Sequence, residues 1–196
     1  MLVSERKKFL FVHIQKTGGT SLTRHFEAQI PDLTLHLKSH TPYSKADERY
    51  RDYFKAAFVR NPFDRLVSWF SAIDRNRKNP PNLLQKEVVG RAKSFDEFIR
   101  NCVDEMRPDR CRAVNLNQVD YLTDGEGRVA VGFIGRFENF AEDARRLCAL
   151  LELEDMEVPH INSSRHAHYR SYYTAETRKI VEHRFAKDLE YFGYGF

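Results

Sequence analysis

Two stretches of this 196-residue chain put cations, hydroxyls and glycines where an anion would be held. Residues 9–22 read FLFVHIQKTGGTSL, and residues 58–70 read FVRNPFDRLVSWF. In the first, Lys16 and Thr17 lead into Gly18 and Gly19, and the hydroxyls of Thr20 and Ser21 follow. The glycines let backbone amides approach a phosphate-like group closely, and the lysine adds a mobile point charge. This is not a Walker A loop, because GxxxxGK[ST] does not fit and the lysine precedes the glycines. In the second, Arg60 ends an apolar run, and Asn61, Arg65 and Ser68 share one face of the helix expected to follow. Two such turns in one small protein suit a ligand with phosphate-like groups at both ends.

These residues need elements to carry them. Residues 8–14 are apolar nearly throughout, as a central strand covered on both faces would be. A helix is expected over 20–29, with Leu22, Phe26 and Ile30 at helical spacing. Residues 33–37 form a weaker strand, and 40–53 a polar loop with a short helix. Residues 54–59 are the next buried strand, running through Asn61-Pro62, an N-cap and first-turn pair, into a helix over 63–75. Ser94-Phe95-Asp96-Glu97 reads as a capping box opening a helix that stops before Pro108. A strand over 129–134, a helix capped by Asn139 and Glu142, and a final helix bearing Val181, Phe185, Leu189 and Phe192 complete the pattern. Alternating strands and helices mean an α/β fold with a central, mainly parallel sheet flanked by helices.

The length suits a single domain, 1–196, large enough to bury a core without disulfides or metal. A net charge of +4 suits an anionic ligand but falls short of a dedicated nucleic-acid binder, and the aromatics sit at core spacings rather than among basic runs. Cys102, Cys111 and Cys148 form no CxxC and cannot all pair, so reduced thiols are expected. No stretch approaches the ~20 apolar residues of a membrane span. The expectation is a soluble, cytoplasmic protein without stable membrane insertion.

Together the two anion turns resemble the sulfotransferases that use 3′-phosphoadenosine 5′-phosphosulfate (PAPS), most nearly the carbohydrate-type family of heparan and chondroitin O-sulfotransferases. In that family a PKTGGTS-like loop holds the 5′-phosphosulfate and an R-x-x-x-x-R-x-x-S-like segment holds the 3′-phosphate. Here they are QKTGGTS, with Gln15 where proline is usual, and RNPFDRLVS, with Arg60 and Ser68 in place. The segments IGRFENFAEDARRLCALL and YRSYYTAETRKIVEHRFAKDLEYFGY also look like this family. The resemblance implies a P-loop NTPase-like three-layer fold and sulfuryl transfer from PAPS to an acceptor hydroxyl, in line and without metal. It implies donor contacts from Lys16, Thr17, Gly18, Gly19, Thr20, Ser21, Arg60 and Ser68. It also brings a late loop over the nucleotide, with Ser163, Ser164 or Arg165 near the 3′-phosphate.

Lys16 and the loop amides would stabilise charge gained by the leaving phosphate. The acceptor hydroxyl needs a base that titrates near neutrality, which favours histidine. His40, in the polar loop after the second expected strand, is the first candidate, His36 the second and Glu48 the third; His13, inside a strand, reads as structural. His160, His166 and His168 have no carboxylate or cysteine partner at a metal-ligand spacing. A small-molecule kinase would need an acidic Mg²⁺ ligand at a strand end, where this chain has Arg60 and Arg136. A sulfotransferase fold that binds nucleotide without turnover is the other alternative. The acceptor is expected to be a glycan, facing the polar segments 76–93 and 107–128. Proteoglycan-modifying relatives generally carry a membrane anchor and a longer chain, so a smaller or non-proteoglycan acceptor is expected.

Overall fold

The computed structural model describes residues 1–38, 40–104, 114–156 and 167–196. They fall into two compact units. One holds Met1–Arg60 and the chain that resumes at Gln118, and the other holds Asn61–Asn117 and the segment ending at Phe196.

The first unit is an α/β unit around one sheet. Strands β1 (Leu2–Ser4), β2 (Phe9–Val12), β3 (Thr34–Leu35), β4 (Phe54–Val59) and β5 (Phe133–Arg136) lie in the order β3-β1-β2-β4-β5. β2 and β4 pair in parallel, with Phe9 opposite Phe54, and β4 and β5 do so with Ala56 opposite Phe133. β1 is antiparallel to both β2 and β3, so it alone runs against the other strands and the sheet is mainly parallel. Helices α1 (Gly19–Gln29) and α6 (Phe140–Leu150) cover one face, and the short helix α5 (Val119–Leu122) precedes β5. Phe9, Phe11, Ala56 and Phe58 point to that face, because strand side chains alternate, and pack with Leu22 and Phe26 of α1 and Leu147 and Cys148 of α6. Leu10, Val12, Ala57 and Val59 of the opposite face are fully buried too, which explains the unbroken apolar runs.

Three departures from the sequence reading have local causes. β1 is three residues long and precedes a charged turn, too short for any periodicity to register. β5 begins at Phe133 rather than 129, because Asp124 accepts hydrogen bonds from the Glu126 and Arg128 amides and folds 123–130 into a tight return. Val129 is left with one isolated bridge to Thr123. The polar loop after β3 contains two 3₁₀ turns, Tyr43–Lys45 and Glu48–Tyr50, in place of one short helix.

The second unit is helical: α2 (Pro62–Arg75), α3 (Leu83–Arg91), α4 (Phe95–Phe98), α7 (Ala175–Arg184) and α8 (Ala186–Phe192). Asn61 caps α2 as expected, accepting from the Phe63 amide at 3.0 Å. α3 was not expected within 76–93; Asn82 caps it by accepting from the Gln85 amide. Ser94 caps α4, but the box is not reciprocal, since the Glu97 carboxylate accepts from the Lys93 amide instead. A π-helical turn, Ile99–Asp104, continues α4. The single final helix expected from the sequence breaks at Phe185, which leaves helical geometry at φ −110°. Phe63, Leu66, Phe98, Val181 and Phe185 form the core of this unit. Arg100 ties α4 to α7 through Asp96 and Glu176, each at 2.7 Å. Both described cysteines, Cys102 and Cys148, are buried free thiols, and Cys111 lies outside the described residues.

Candidate active site

Turn 16–21 links the carboxyl end of β2 to the first turn of α1. Lys16 and Gly18 both take left-handed backbone, at φ 68° and 83°. For a lysine that conformation costs roughly 1–2 kcal/mol, so neighbours must enforce it. Three bonds and one contact do so. The Thr17 hydroxyl donates to the Ile14 carbonyl at 2.8 Å, and the Arg60 guanidinium donates to the Lys16 carbonyl at 3.3 Å. Gln15, standing where the resemblance expects proline, accepts from the Tyr121 hydroxyl at 3.2 Å, so a tertiary bond replaces the ring's restraint. A Cβ on Gly18 would overlap the Phe140 ring.

The amino end of α1 carries no side-chain cap and no acidic residue in its first turn. In α2, α3, α4 and α7 a side chain accepts from the first-turn amides. The positive end of the α1 dipole is therefore not neutralised by its own sequence, and Lys16 sits just before it. The hydroxyls of Thr20 and Ser21 lie in that first turn.

Arg60 follows the last residue of β4 and is only 3% exposed. Gln118 brackets its peptide, accepting from the Arg60 amide at 2.9 Å and donating to its carbonyl at 2.7 Å. Its guanidinium carbon lies 3.9 Å from the centre of the Phe137 ring. In the second unit, Ser68 is buried on α2. Arg65 was expected on a polar face with it, but is 0% exposed and donates to the Leu116 carbonyl. Asn61 is committed to capping and to the Gly195 carbonyl. Asn61, Arg65 and Ser68 are thus largely buried rather than spread on an open polar face.

Histidines stand beside the turn. The His13 ring fills the space where a Cβ on Gly19 would sit, and His40 packs edge-on against His13 with ring centres 4.5 Å apart. His40 Nδ1 is 3.0 Å from the His13 carbonyl. A carbonyl only accepts, so Nδ1 carries the proton, and in the neutral ring Nε2 carries the lone pair. His40 is itself left-handed at φ 65°, a strain typical of functional positions. Burial, and then the neighbouring charge of His40, push the His13 imidazole down to about 3. His13, which the sequence marks as structural, links Gly19 to His40, and the signal for that contact lay in HIQKTGG, a histidine six residues before the second glycine.

His36 sits differently. Its amide donates to the Met1 carbonyl, its ring meets Tyr50 edge-on at 4.8 Å, and its Nε2 is shut away from solvent without a hydrogen-bond partner. Burial followed by nearby Arg49 lowers its pKa. Glu48 opens the second 3₁₀ turn, with Arg51 at 3.7 Å. His168 accepts from the Arg170 amide at 3.4 Å. His160, Ser163, Ser164, Arg165 and His166 lie outside the described residues. Among the described residues no three or more His, Cys, Asp or Glu side chains converge as metal ligands, and no helix is long and apolar enough to cross a membrane.

A solved structure described as a sulfotransferase from Alicyclobacillus acidocaldarius is similar over 93% of this chain and 92% of its own, at 20% identity and a TM-score of 0.45. No curated protein matches the chain. A family model described as the sulfotransferase family matches residues 1–195, nearly the whole sequence. The chain belongs to the sulfotransferase family.

Proposed function

We propose that this sulfotransferase, acting as one domain over 1–196, moves the sulfuryl group of PAPS to a hydroxyl of a carbohydrate or glycoconjugate, with His40 as general base. The observation that carries the reading is the arrangement of turn 16–21. A lysine at an uncapped helix start is tied by its carbonyl to Arg60 on one side, and its glycine meets the His13–His40 pair on the other. An anion-stabilising group and a base candidate thus flank one short turn, as transfer between a phosphate leaving group and a hydroxyl requires.

Lys16, the α1 amides and the hydroxyls of Thr20 and Ser21 hold the 5′-phosphosulfate, while Arg60 and Ser68 read the 3′-phosphate. Arg165 is an additional 3′-phosphate contact carried over from the resemblance. His40 Nε2 takes the proton of the attacking hydroxyl. His36 is the second candidate, and its shielded Nε2 makes it the weaker one.

Calorimetric titration with 3′-phosphoadenosine 5′-phosphate tests the donor assignment. The expected result is binding that EDTA leaves unchanged and that is at least tenfold tighter than ATP binding, on the order of 1.4 kcal/mol. ATP binding as tightly as 3′-phosphoadenosine 5′-phosphate, or binding lost in EDTA, would instead favour the kinase.

A further inference from the structure

We infer that Phe137 and Phe140 form an aromatic shelf that positions both anion-binding elements of the first unit, and that Phe137 acts through Arg60 as a positioning residue for the donor's 3′-phosphate. The inference rests on the PAPS reading above and adds to it residues outside the two anion turns.

Strand geometry builds the shelf. Phe58 and Arg60 are two positions apart at the end of β4, so they point the same way. Phe58 meets the Phe140 ring at 5.3 Å between centres, and Arg60 lies on the Phe137 ring at 3.9 Å. Phe137 and Phe140 are themselves 6.1 Å apart, three residues from each other across the 3₁₀ turn that opens α6. The edge of Phe140 occupies the space beside Gly18. One aromatic pair therefore touches the glycine of the first anion turn and the arginine of the second.

A guanidinium stacked on a ring keeps its N–H donors in plane and loses freedom to rotate, which favours directed bonds to an anion. One such donor already reaches the Lys16 carbonyl. The position of Arg60, and through it the left-handed turn at Lys16, thus depends on the Phe137 face. An apolar side chain of similar bulk would fill the space without supplying that face. Phe137 is partly exposed and has no place in the core beneath the sheet, so its replacement leaves that core intact.

The test compares binding of 3′-phosphoadenosine 5′-phosphate with that of adenosine 5′-monophosphate, which differs only in lacking the 3′-phosphate. Phe137→Leu is expected to weaken the first about 2–30-fold and the second far less, at an unchanged melting temperature. Phe137→Tyr should restore parental affinity. In an Arg60→Ala background, Phe137→Leu should add less than about a twofold loss, because the side chain it acts through is already gone. Equal weakening of both nucleotides, or an undiminished loss in the Arg60→Ala background, would overturn the shelf. If Phe137→Leu melts early, Phe137→Met carries the same comparison. Parental protein that does not prefer the 3′-phosphorylated nucleotide would sink the donor assignment itself, and the shelf with it. Parental preference combined with an indifferent Phe137→Leu would sink the shelf alone.

Discussion

His40→Ala is expected to slow sulfuryl transfer about 10²–10⁴-fold while leaving donor affinity nearly unchanged. The split follows from where the side chain acts. As the proposed base, His40 would take a proton from the acceptor hydroxyl without touching the nucleotide, so its loss should fall on kcat. The His13 carbonyl accepts from Nδ1 and so fixes the tautomer, with the lone pair on Nε2. Acid that protonates this imidazole removes the base, so parental kcat should fall on the acidic side, and His40→Ala should lose that limb. His13 cannot generate the limb, because burial and the charge of His40 hold its pKa down to about 3. Rate measurements across pH on both proteins check this. Near-parental kcat in His40→Ala, with His36→Ala or Glu48→Ala inactive, would move the base to one of those residues.

Lys16→Ala should cost about 10²–10³-fold in kcat and also weaken PAPS binding. The lysine precedes the uncapped start of α1, where the proposed leaving phosphate would gain charge in the transition state. Its charge matters more there than in the ground state, so kcat should fall by more than KM rises. The backbone strain runs the other way. Alanine is no better suited than lysine to φ 68°, so Lys16→Ala neither relieves nor adds strain and its melting temperature should stay near parental. Single-turnover rates with saturating PAPS separate chemistry from binding. A loss confined to KM would make Lys16 a docking charge only.

The strand–turn–helix over 9–29 was legible because its pattern is local. Lys16 through Ser21 are contiguous, and the β2–α1 boundary is set by an unbroken apolar run followed by two glycines within one turn's length. β4 and α2 were equally clear, since Asn61-Pro62 marks a helix start within the sequence itself. What could not be read depends on tertiary partners. Arg65 has the spacing of a surface cation, yet it is fully buried against the Leu116 carbonyl, a neighbour 51 residues away. The sequence marks Arg60 as a phosphate contact, and nothing in it shows that Arg60 donates to the carbonyl of Lys16, 44 residues away. The break at Phe185 was hidden because Val181, Phe185, Leu189 and Phe192 keep one apolar stripe across both helices. His40 and His13 are 27 residues apart, and only the return of the chain after β3 brings their rings together.

The most direct measurement is transfer itself. The purified protein is incubated with [³⁵S]PAPS in EDTA over mono- and oligosaccharides, glycolipids and phenols, and both labelled acceptor and released 3′-phosphoadenosine 5′-phosphate are quantified. The expected result is equimolar formation of the two with at least one carbohydrate acceptor, slowed about 10²–10³-fold in Lys16→Ala. Labelling confined to phenols would contradict the carbohydrate assignment. No transfer to any acceptor, from protein that still binds 3′-phosphoadenosine 5′-phosphate tightly, would show a nucleotide-binding module rather than an enzyme.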